Sequence, residues 1–217
     1  MQGLTLVPED ELVRSYRAAV ALMEPELALP GAAYLEFGVF IGTTMACMYR
    51  ASSESGAVVR MVGFDSFQGM PKGVETQDDG RWREGDLSMS IDLARENLAK
   101  NGVPADRAEL VPGWFEDTLT DATRRALGLQ AAPIVMVDCV IASATATALT
   151  FLTPLIGTRS LVYFDDWAVV DLHDRGLGER AAFEAWLAEH PEFTAEEQPA
   201  LGYSNDARAF LIIRRPT

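Results

Sequence analysis

Short apolar runs alternate along the chain with longer segments whose apolar residues recur at helical spacing. The runs predict seven strands, at residues 33–36, 57–65, 108–112, 132–138, 160–166, 192–198 and 207–214. Helices are predicted before and between them, at about 8–23, 43–53, 88–101, 145–152 and 178–189, with another after residues 113–118. The strands are apolar throughout rather than alternating, which is typical of a parallel sheet covered by helices on both faces. The pattern therefore predicts a doubly wound α/β fold.

One domain accounts for the whole of residues 1–217. The chain contains no internal repeat, low-complexity segment or linker that would divide it, and its length is enough to bury a sizeable core. The longest irregular stretch, about 66–88, separates the second strand from the next helix. Because long loops inside compact domains are often functional, we predict that this stretch is a lid.

Composition and charge exclude several classes of function. The formal net charge is −14, whereas nucleic-acid binding needs a basic patch, and no Lys/Arg cluster is found. No apolar run reaches the roughly 18 to 20 residues that span a bilayer, and the N-terminal residues lack the pattern of a signal peptide. Cys47 and Cys139 fit neither a disulfide framework nor a zinc spacing. We therefore predict a cytoplasmic protein that contacts neither nucleic acid nor membrane.

The first strand leads into a glycine turn. It ends at Glu36, the turn carries Gly38 and Gly42, and the following helix opens with Thr43 and Thr44. Such a unit directs backbone N–H groups, and the positive end of a helix dipole, above the edge of the sheet. This arrangement suits a nucleotide-like cofactor that carries a carboxylate or phosphate. Taken alone, a Gly-x-x-x-Gly segment after a strand is also an ordinary turn between a strand and a helix.

Four of the first five strands end in acidic residues: Glu36, Asp65, Asp138 and the pair Asp165 and Asp166. Ligands of open α/β sheets bind in the crevice beyond the carboxyl ends of the strands. Asp65, after the second strand, is placed to accept hydrogen bonds from the ribose hydroxyls of an adenosine-type ligand. The alternative is a turn aspartate before Ser66.

Asp138, Asp165 and Asp166 form a candidate metal site. If the fourth and fifth strands are neighbours, the three carboxylates converge, and their mutual repulsion calls for a cation between them. A donor set of oxygen atoms alone suits a hard cation, Mg²⁺ before Ca²⁺ or Mn²⁺. A Mg²⁺ ion with open positions can chelate two neighbouring oxygens of a substrate and lower the pKa of a hydroxyl. The alternative is that Asp165 and Asp166 only cap the following loop.

Several segments together give the chain a specific likeness to a known family. They are EFGVFIG at 36–42, GFDSFQGMP at 63–71, GWFEDTL at 113–119, Asp138, and DDW at 165–167. With these segments the chain resembles the macrocin O-methyltransferase (TylF-like) family, from about residue 34 to residue 214. Members are S-adenosylmethionine-dependent enzymes that methylate sugar hydroxyls on antibiotics and related natural products. The 63–71 motif is highly specific to the family.

The resemblance implies a class I methyltransferase fold, with a Rossmann-like seven-stranded sheet whose last strand is antiparallel. It implies S-adenosylmethionine and Mg²⁺ as cofactors, with the metal held by Asp138, Asp165 and Asp166. The cofactor site would be lined by Glu36, Gly38, Gly42, Asp65 and Ser66, by Gly113, Trp114 and Phe115 beside the adenine, and by Thr43 and Thr44 at the methionine carboxylate. The substrate would be a glycosylated small molecule, and relatives associate, which implies a homo-oligomer with the N-terminal helix as a contact.

The chain departs from the family where a general base is expected. Relatives often carry a second Asp and a Tyr soon after the first metal aspartate, but this chain has Cys-Val-Ile-Ala at 139–142. The segment 72–85 contains no histidine, although a lid histidine is a candidate base in related enzymes. The remaining candidates are Asp138 and His173.

Three alternatives to a sugar O-methyltransferase remain open. A catechol-type methyltransferase would chelate a phenolic diol with a comparable set of acids. An NAD-dependent oxidoreductase could use the same sheet, but the turn is not the Gly-x-Gly-x-x-Gly fingerprint of dinucleotide binding. A cofactor-binding protein without catalysis would explain the missing lid base.

Overall fold

The computed structural model describes residues 7–77 and 80–216, without the side chains of residues 170 and 171. The predicted single domain and lid therefore extend, at 1–6, 78–79 and 217, outside the described residues. No helix within 7–77 or 80–216 is long and apolar enough to cross a membrane.

Within the described residues, seven strands form one sheet close to the positions that the apolar runs predict. The first ends at Phe37 instead of Glu36, and the second begins at Met61 instead of residue 57. The strands are β1 (Tyr34–Phe37), β2 (Met61–Asp65), β3 (Ala108–Pro112), β4 (Ile134–Val137), β5 (Arg159–Phe164), β6 (Phe193–Glu197) and β7 (Arg208–Arg214). Their order across the sheet is β3-β2-β1-β4-β5-β7-β6. The strands β1 to β5 are parallel, and β7 runs antiparallel to both of its neighbours. The expected seven-stranded class I methyltransferase sheet, with its last strand antiparallel, is confirmed.

Within the described residues, eight α-helices precede or connect the strands. They are α1 (Glu9–Leu22), α2 (Glu24–Leu27), α3 (Thr43–Glu54), α4 (Ile91–Lys100), α5 (Phe115–Thr118), α6 (Asp121–Ala126), α7 (Ala142–Leu152) and α8 (Gly178–Glu189). Ser90 and Thr120 cap α4 and α6 by accepting hydrogen bonds from the backbone N–H groups of Asp92 and Thr123, which satisfies donors that a helix start leaves free. The helix expected from residue 145 begins three residues earlier, at Ala142.

The core lies in two layers, one on each face of the sheet. Tyr16 of α1 and Tyr34 of β1 belong to the layer under α1 and α3, whereas Phe37 of β1 belongs to the layer under α7 and α8. Successive side chains of a strand point to opposite faces, so Glu36 lies on the same side as Tyr34. The apolar residues of α1 are buried within this layer. The expectation that they form an oligomer contact is therefore wrong, because that face already packs inside its own chain.

Candidate functional site

The carboxyl ends of four neighbouring strands form one rim. Phe37 at the end of β1 pairs with Phe64 of β2 and with Val137 of β4, and Val137 pairs in turn with Phe164 of β5. The N–H of Asp138 donates to the carbonyl of Phe37 at 2.9 Å. This register places Asp65 at the end of β2 and Asp138, Asp165 and Asp166 after β4 and β5 along one rim. Glu36 lies inside β1 and is buried beneath that rim.

Gly38 joins the glycine turn to the end of β4. Its φ is +93°, and a Cβ atom built on it would lie 1.8 Å from the carbonyl oxygen of Asp138. No side chain fits so close to a neighbouring backbone. The structure therefore gives Gly38 a packing role that does not depend on a ligand, and its contact with a cofactor stays a prediction.

Glu36 anchors the start of α3 from below. Thr44 donates its hydroxyl to Oε1 and Tyr34 donates to Oε2, and the side chain has no exposed surface. Burial raises the pKa of Glu36 to about 8, and the two hydroxyl donors partly oppose this shift. Both carboxylate oxygens of Glu36 are already hydrogen-bonded, so the side chain links β1 to the start of α3. Direct contact of Glu36 with a cofactor stays a prediction.

The N-terminus of α3 is open to an anion. Gly42 occupies the cap position with φ +81°, and no side chain of the described residues caps the first N–H groups of the helix. Thr43 is half-buried at the first helical position. Free N–H groups and the helix dipole favour a bound carboxylate at this place. These features fit the predicted role of Thr43 and Thr44 in holding the methionine carboxylate.

Asp65 binds three backbone N–H groups of its own chain. Its Oδ2 accepts from Val39 and Phe40, both at 2.8 Å, and its Oδ1 accepts from Phe67 at 2.7 Å. An ionised carboxylate offers about four lone-pair positions, so one position on Oδ1 stays available. Ser66 is used locally, since its hydroxyl accepts from the N–H of Gln68 at 3.0 Å. Ribose binding by Asp65 and Ser66 stays a prediction, with room at Asp65 for one hydroxyl.

The segment Gly113, Trp114 and Phe115 lies beside Asp65 where β3 ends. The N–H of Gly113 donates to the carbonyl of Asp65 at 2.9 Å. Phe115 packs edge-on against Phe37, with ring centroids 6.0 Å apart, so its ring faces the core. Trp114 is half-buried at the start of α5. Contact of the segment with an adenine ring stays a prediction.

Asp138, Asp165 and Asp166, the acidic triad, converge as the strand spacing predicts. Carboxylate oxygens of the three residues lie within 4.8 Å of one another. Burial first, and then repulsion by Asp165 and Asp166, raises the pKa of Asp138 well above its usual range. Burial and the charge of Asp165 raise the pKa of Asp166 to about 7. An oxygen-only set whose members repel one another fits a hard divalent cation such as Mg²⁺, although metal binding stays a prediction.

Two buried residues that the sequence did not single out support the acidic triad. Tyr203 donates its hydroxyl to Oδ1 of Asp165. Glu179, the second residue of α8, accepts from the N–H of Cys139 at 3.2 Å through Oε1 and from the N–H of Asp166 at 2.9 Å through Oε2. In the sequence, Glu179 is one of many acids in the first turn of a helix, where acids are common. No sequence signal links Tyr203 to the site.

His173 lies away from these contacts. It belongs to the 3₁₀ segment Val169–Arg175, and its Nε2 is 3.7 Å from Oε2 of Glu184 on α8. Among the contacts of the described residues, none joins His173 to the acidic triad. Its role as a base stays a prediction without support from its surroundings.

The segment predicted as a lid packs on the loop that follows Asp138. Met70 and Val74 form a buried cluster with Val140 and Ile141, and Trp82, Leu87 and Ala144 pack against them. Two backbone hydrogen bonds join the two ends of this segment, from Met70 N–H to Asp86 O at 2.8 Å and from Gly85 N–H to Met70 O at 3.0 Å. Val140 and Ile141 thus form the surface on which the predicted lid packs.

Sequence comparison relates this chain to known proteins. A sequence model of the family described as macrocin-O-methyltransferase (TylF) matches residues 3–178. The chain is 28% identical over 142 residues to 8-demethyl-8-(2,3-dimethoxy-alpha-L-rhamnosyl)-tetracenomycin-C 4'-O-methyltransferase of Streptomyces olivaceus, covering 62% of this chain and 52% of that protein. The chain spans about half the length of the curated relatives it matches.

Solved structures share the fold. The O-methyltransferase NovP superposes with a TM-score of 0.69 at 20% identity, covering 95% of this chain and 80% of that one. An O-methyltransferase from Bacillus cereus, solved in complex with SAH, superposes with a TM-score of 0.62 at 15% identity, covering 96% and 82% of the two chains.

Proposed function

The chain belongs to the macrocin O-methyltransferase family, and from this premise we propose that it is an O-methyltransferase dependent on S-adenosylmethionine and Mg²⁺. The proposed substrate is a sugar hydroxyl on a glycosylated natural product of the antibiotic type, as the name of the Streptomyces relative indicates for that protein. The observation that carries the proposal is the convergence of three carboxylates within 4.8 Å on the rim that also holds the glycine turn.

Residues at the turn would hold the cofactor. The uncapped N-terminus of α3, with Thr43 and Thr44, binds the methionine carboxylate through free N–H groups. The remaining acceptor position of Asp65 binds one ribose hydroxyl. A neighbouring fold solved with SAH supports this choice of cofactor. When bound, S-adenosylmethionine supplies an electrophilic methyl group and Mg²⁺ polarises a hydroxyl oxygen.

The acidic triad would bind the metal and orient the acceptor. A sugar with two neighbouring hydroxyls suits a cation that keeps open positions. Asp138 is the better candidate for taking the hydroxyl proton, because it belongs to the acidic triad that would orient the acceptor, whereas His173 contacts Glu184 instead. The predicted lid would keep water from the reacting oxygen. His173 remains the second candidate base.

A phenolic acceptor is a second candidate, because an aromatic diol would also present two adjacent oxygens to a metal ion held by the three converging carboxylates. We further propose that the protein works in the cytoplasm and that it is a homo-oligomer. Light scattering on the purified chain measures its molar mass and so tests the oligomeric state.

Calorimetry and a transfer assay test the function. We expect S-adenosylhomocysteine to bind and NAD not to bind, and the opposite result would move the protein to the oxidoreductases. With methyl-labelled S-adenosylmethionine, a rhamnosylated aromatic polyketide and a catechol serve as the two acceptors. We expect label on the sugar in Mg²⁺, and none in a chelator or in Asp165→Ala. Undiminished transfer in the chelator would remove the metal from the reaction, and label only on the catechol would change the acceptor class.

A further inference from the structure

Glu179 bridges the two chain segments that carry the acidic triad. Its Oε1 accepts from the N–H of Cys139, the residue after Asp138, at 3.2 Å. Its Oε2 accepts from the N–H of Asp166, itself a member of the triad, at 2.9 Å. One carboxylate therefore links the backbone beyond β4 to the backbone beyond β5.

The two hydrogen bonds to Glu179 lie just beyond the last paired residues of β4 and β5. The last register pair between β4 and β5 is Val137 with Phe164, and the last backbone bond runs from Asp165 N–H to Val137 O at 3.0 Å. Beyond that point the sheet no longer fixes the separation of the two segments, and their like charges push them apart. The two bonds to Glu179 supply the missing constraint.

The surroundings of Glu179 suit this task. Its side chain has no exposed surface, and it stands in the first turn of α8, where the helix dipole favours a negative charge. Burial and the charges of Asp166 and Asp165 raise the pKa of Glu179, and the two backbone N–H donors oppose this shift. Both oxygens are already bonded to N–H groups, so Glu179 acts on the triad through the backbone of its neighbours.

We propose that Glu179 is a positioning residue that sets the distance between the carboxylates of Asp138 and Asp166 and thereby determines the affinity of the site for a divalent cation. This inference rests on the proposed metal site. Loss of partners that orient metal ligands typically weakens metal binding by about 10- to 100-fold.

The test compares Glu179→Gln with Glu189→Gln. The glutamine amide has a single acceptor oxygen and turns a donor toward the second N–H, so one of the two bonds is lost. Glu189 is exposed at the far end of the same helix, which makes its substitution a matched control. The measurements are the Mn²⁺ affinity by electron paramagnetic resonance, the affinity for S-adenosylhomocysteine by calorimetry, and the melting temperature.

We expect Glu179→Gln to bind Mn²⁺ about 10- to 100-fold more weakly while its affinity for S-adenosylhomocysteine stays unchanged, and Glu189→Gln to match the wild type. Wild-type Mn²⁺ affinity in Glu179→Gln overturns the inference and leaves the proposed function in place. An equal loss of both affinities also overturns it, since that result reports general unfolding. Failure of the wild type itself to bind Mn²⁺ overturns the metal site of the proposed function, and the positioning role with it.

Amide hydrogen exchange of the metal-free wild type provides a measurement that needs no folded variant. We expect the amide protons of Cys139 and Asp166 to exchange slowly, because each is bonded to a buried carboxylate. Rapid exchange at both amides would show that the bridge does not form in solution and would overturn the inference.

Discussion

The backbone N–H of Phe40 donates to Oδ2 of Asp65 at 2.8 Å, and this bond ties the turn after β1 to the end of β2. Phe40 has φ +51°, and Phe67, bonded to the other oxygen of Asp65, has φ +54°. Each such conformation costs a non-glycine residue about 1 to 2 kcal/mol. The carboxylate of Asp65 thus stabilises two strained residues at the mouth of the proposed cofactor site.

Asp65→Asn should therefore lower both stability and cofactor affinity. The amide keeps one acceptor oxygen but directs a donor at backbone N–H groups, so we expect a loss of about 2 to 4 kcal/mol in the free energy of unfolding. Denaturant unfolding and titration with S-adenosylhomocysteine measure the two effects. Asp106→Asn, at an exposed turn position, is the control. An unchanged unfolding midpoint in Asp65→Asn would contradict the stabilising role of the hydrogen bonds that Asp65 accepts.

Gly38→Ala should disrupt the rim because its Cβ would lie 1.8 Å from the carbonyl oxygen of Asp138. Overpacking and the positive φ together are expected to cost about 3 kcal/mol or more, with loss of cofactor and metal binding. Gly56→Ala is a matched control, since Gly56 has φ +73° and no atom within 4 Å of the added Cβ. Denaturant unfolding of both variants separates steric overlap from backbone strain. Equal losses in the two would show that strain alone matters.

Stability should depend on pH through Glu36. Its pKa rises from 4.5 to about 8 on folding, so between these values the native state binds more protons than the unfolded chain. The free energy of unfolding therefore falls as pH rises through this window, by at most about 1.4 kcal/mol per pH unit, and this contribution levels off above about pH 8.

Unfolding of the metal-free wild type and of Glu36→Gln from pH 5 to 9 measures this contribution as the difference between the two slopes. We expect a shallower slope in the variant. The exposed Glu116→Gln should keep the wild-type slope. Parallel curves for Glu36→Gln and wild type would show that Glu36 titrates normally.

Mg²⁺ should stabilise the protein by relieving repulsion within the acidic triad. A ligand present at 100 times its dissociation constant adds about 2.7 kcal/mol to the free energy of unfolding. Asp165→Ala should lose this response. Asp174→Ala, an exposed aspartate in the following segment, should keep it. A thermal melt of each protein with Mg²⁺ and with a chelator provides the measurement, and a full response in Asp165→Ala would exclude it as a ligand.

Val74→Ala should destabilise the predicted lid without affecting the residues that are proposed to bind the cofactor. Val74 has no exposed surface within the lid cluster, so we expect a loss of about 1 to 3 kcal/mol in the local stability of the lid. Limited proteolysis within residues 72–85 should become faster, while the affinity for S-adenosylhomocysteine stays the same. Val58→Ala, at a valine that is 69% exposed, is the control. Unchanged cleavage in Val74→Ala would mean that Val74 does not hold the lid.

Much of the fold is visible in the sequence because its signals are local. Each apolar run became a strand, and the acids after the fourth and fifth strands meet, as neighbouring parallel strands require. The antiparallel β7 was predicted only through the family resemblance, and the strand order was not predicted, since periodicity alone does not specify which strands pair.

The contacts that shape the site depend on residues far apart in the chain. The carbonyl oxygen of Asp138 leaves no room for a side chain at Gly38, and the N–H of Cys139 is bonded to Glu179. The positive φ values of Phe40 and Phe67 have no sequence signature, because neither residue is a glycine or asparagine. For these reasons Asp65 was predicted as a ribose ligand, while its three bonds to the backbone were not foreseen.

The placement of β7 between β5 and β6 has a consequence for biosynthesis. In the described sheet β6 pairs with β7, which follows it in the chain, so β6 leaves the ribosome before it has a partner. Tyr203 is likewise translated long after Asp165, whose carboxylate it contacts. We therefore expect nascent chains that stop short of residue 208 to expose the edge of β5 and to require protection from aggregation.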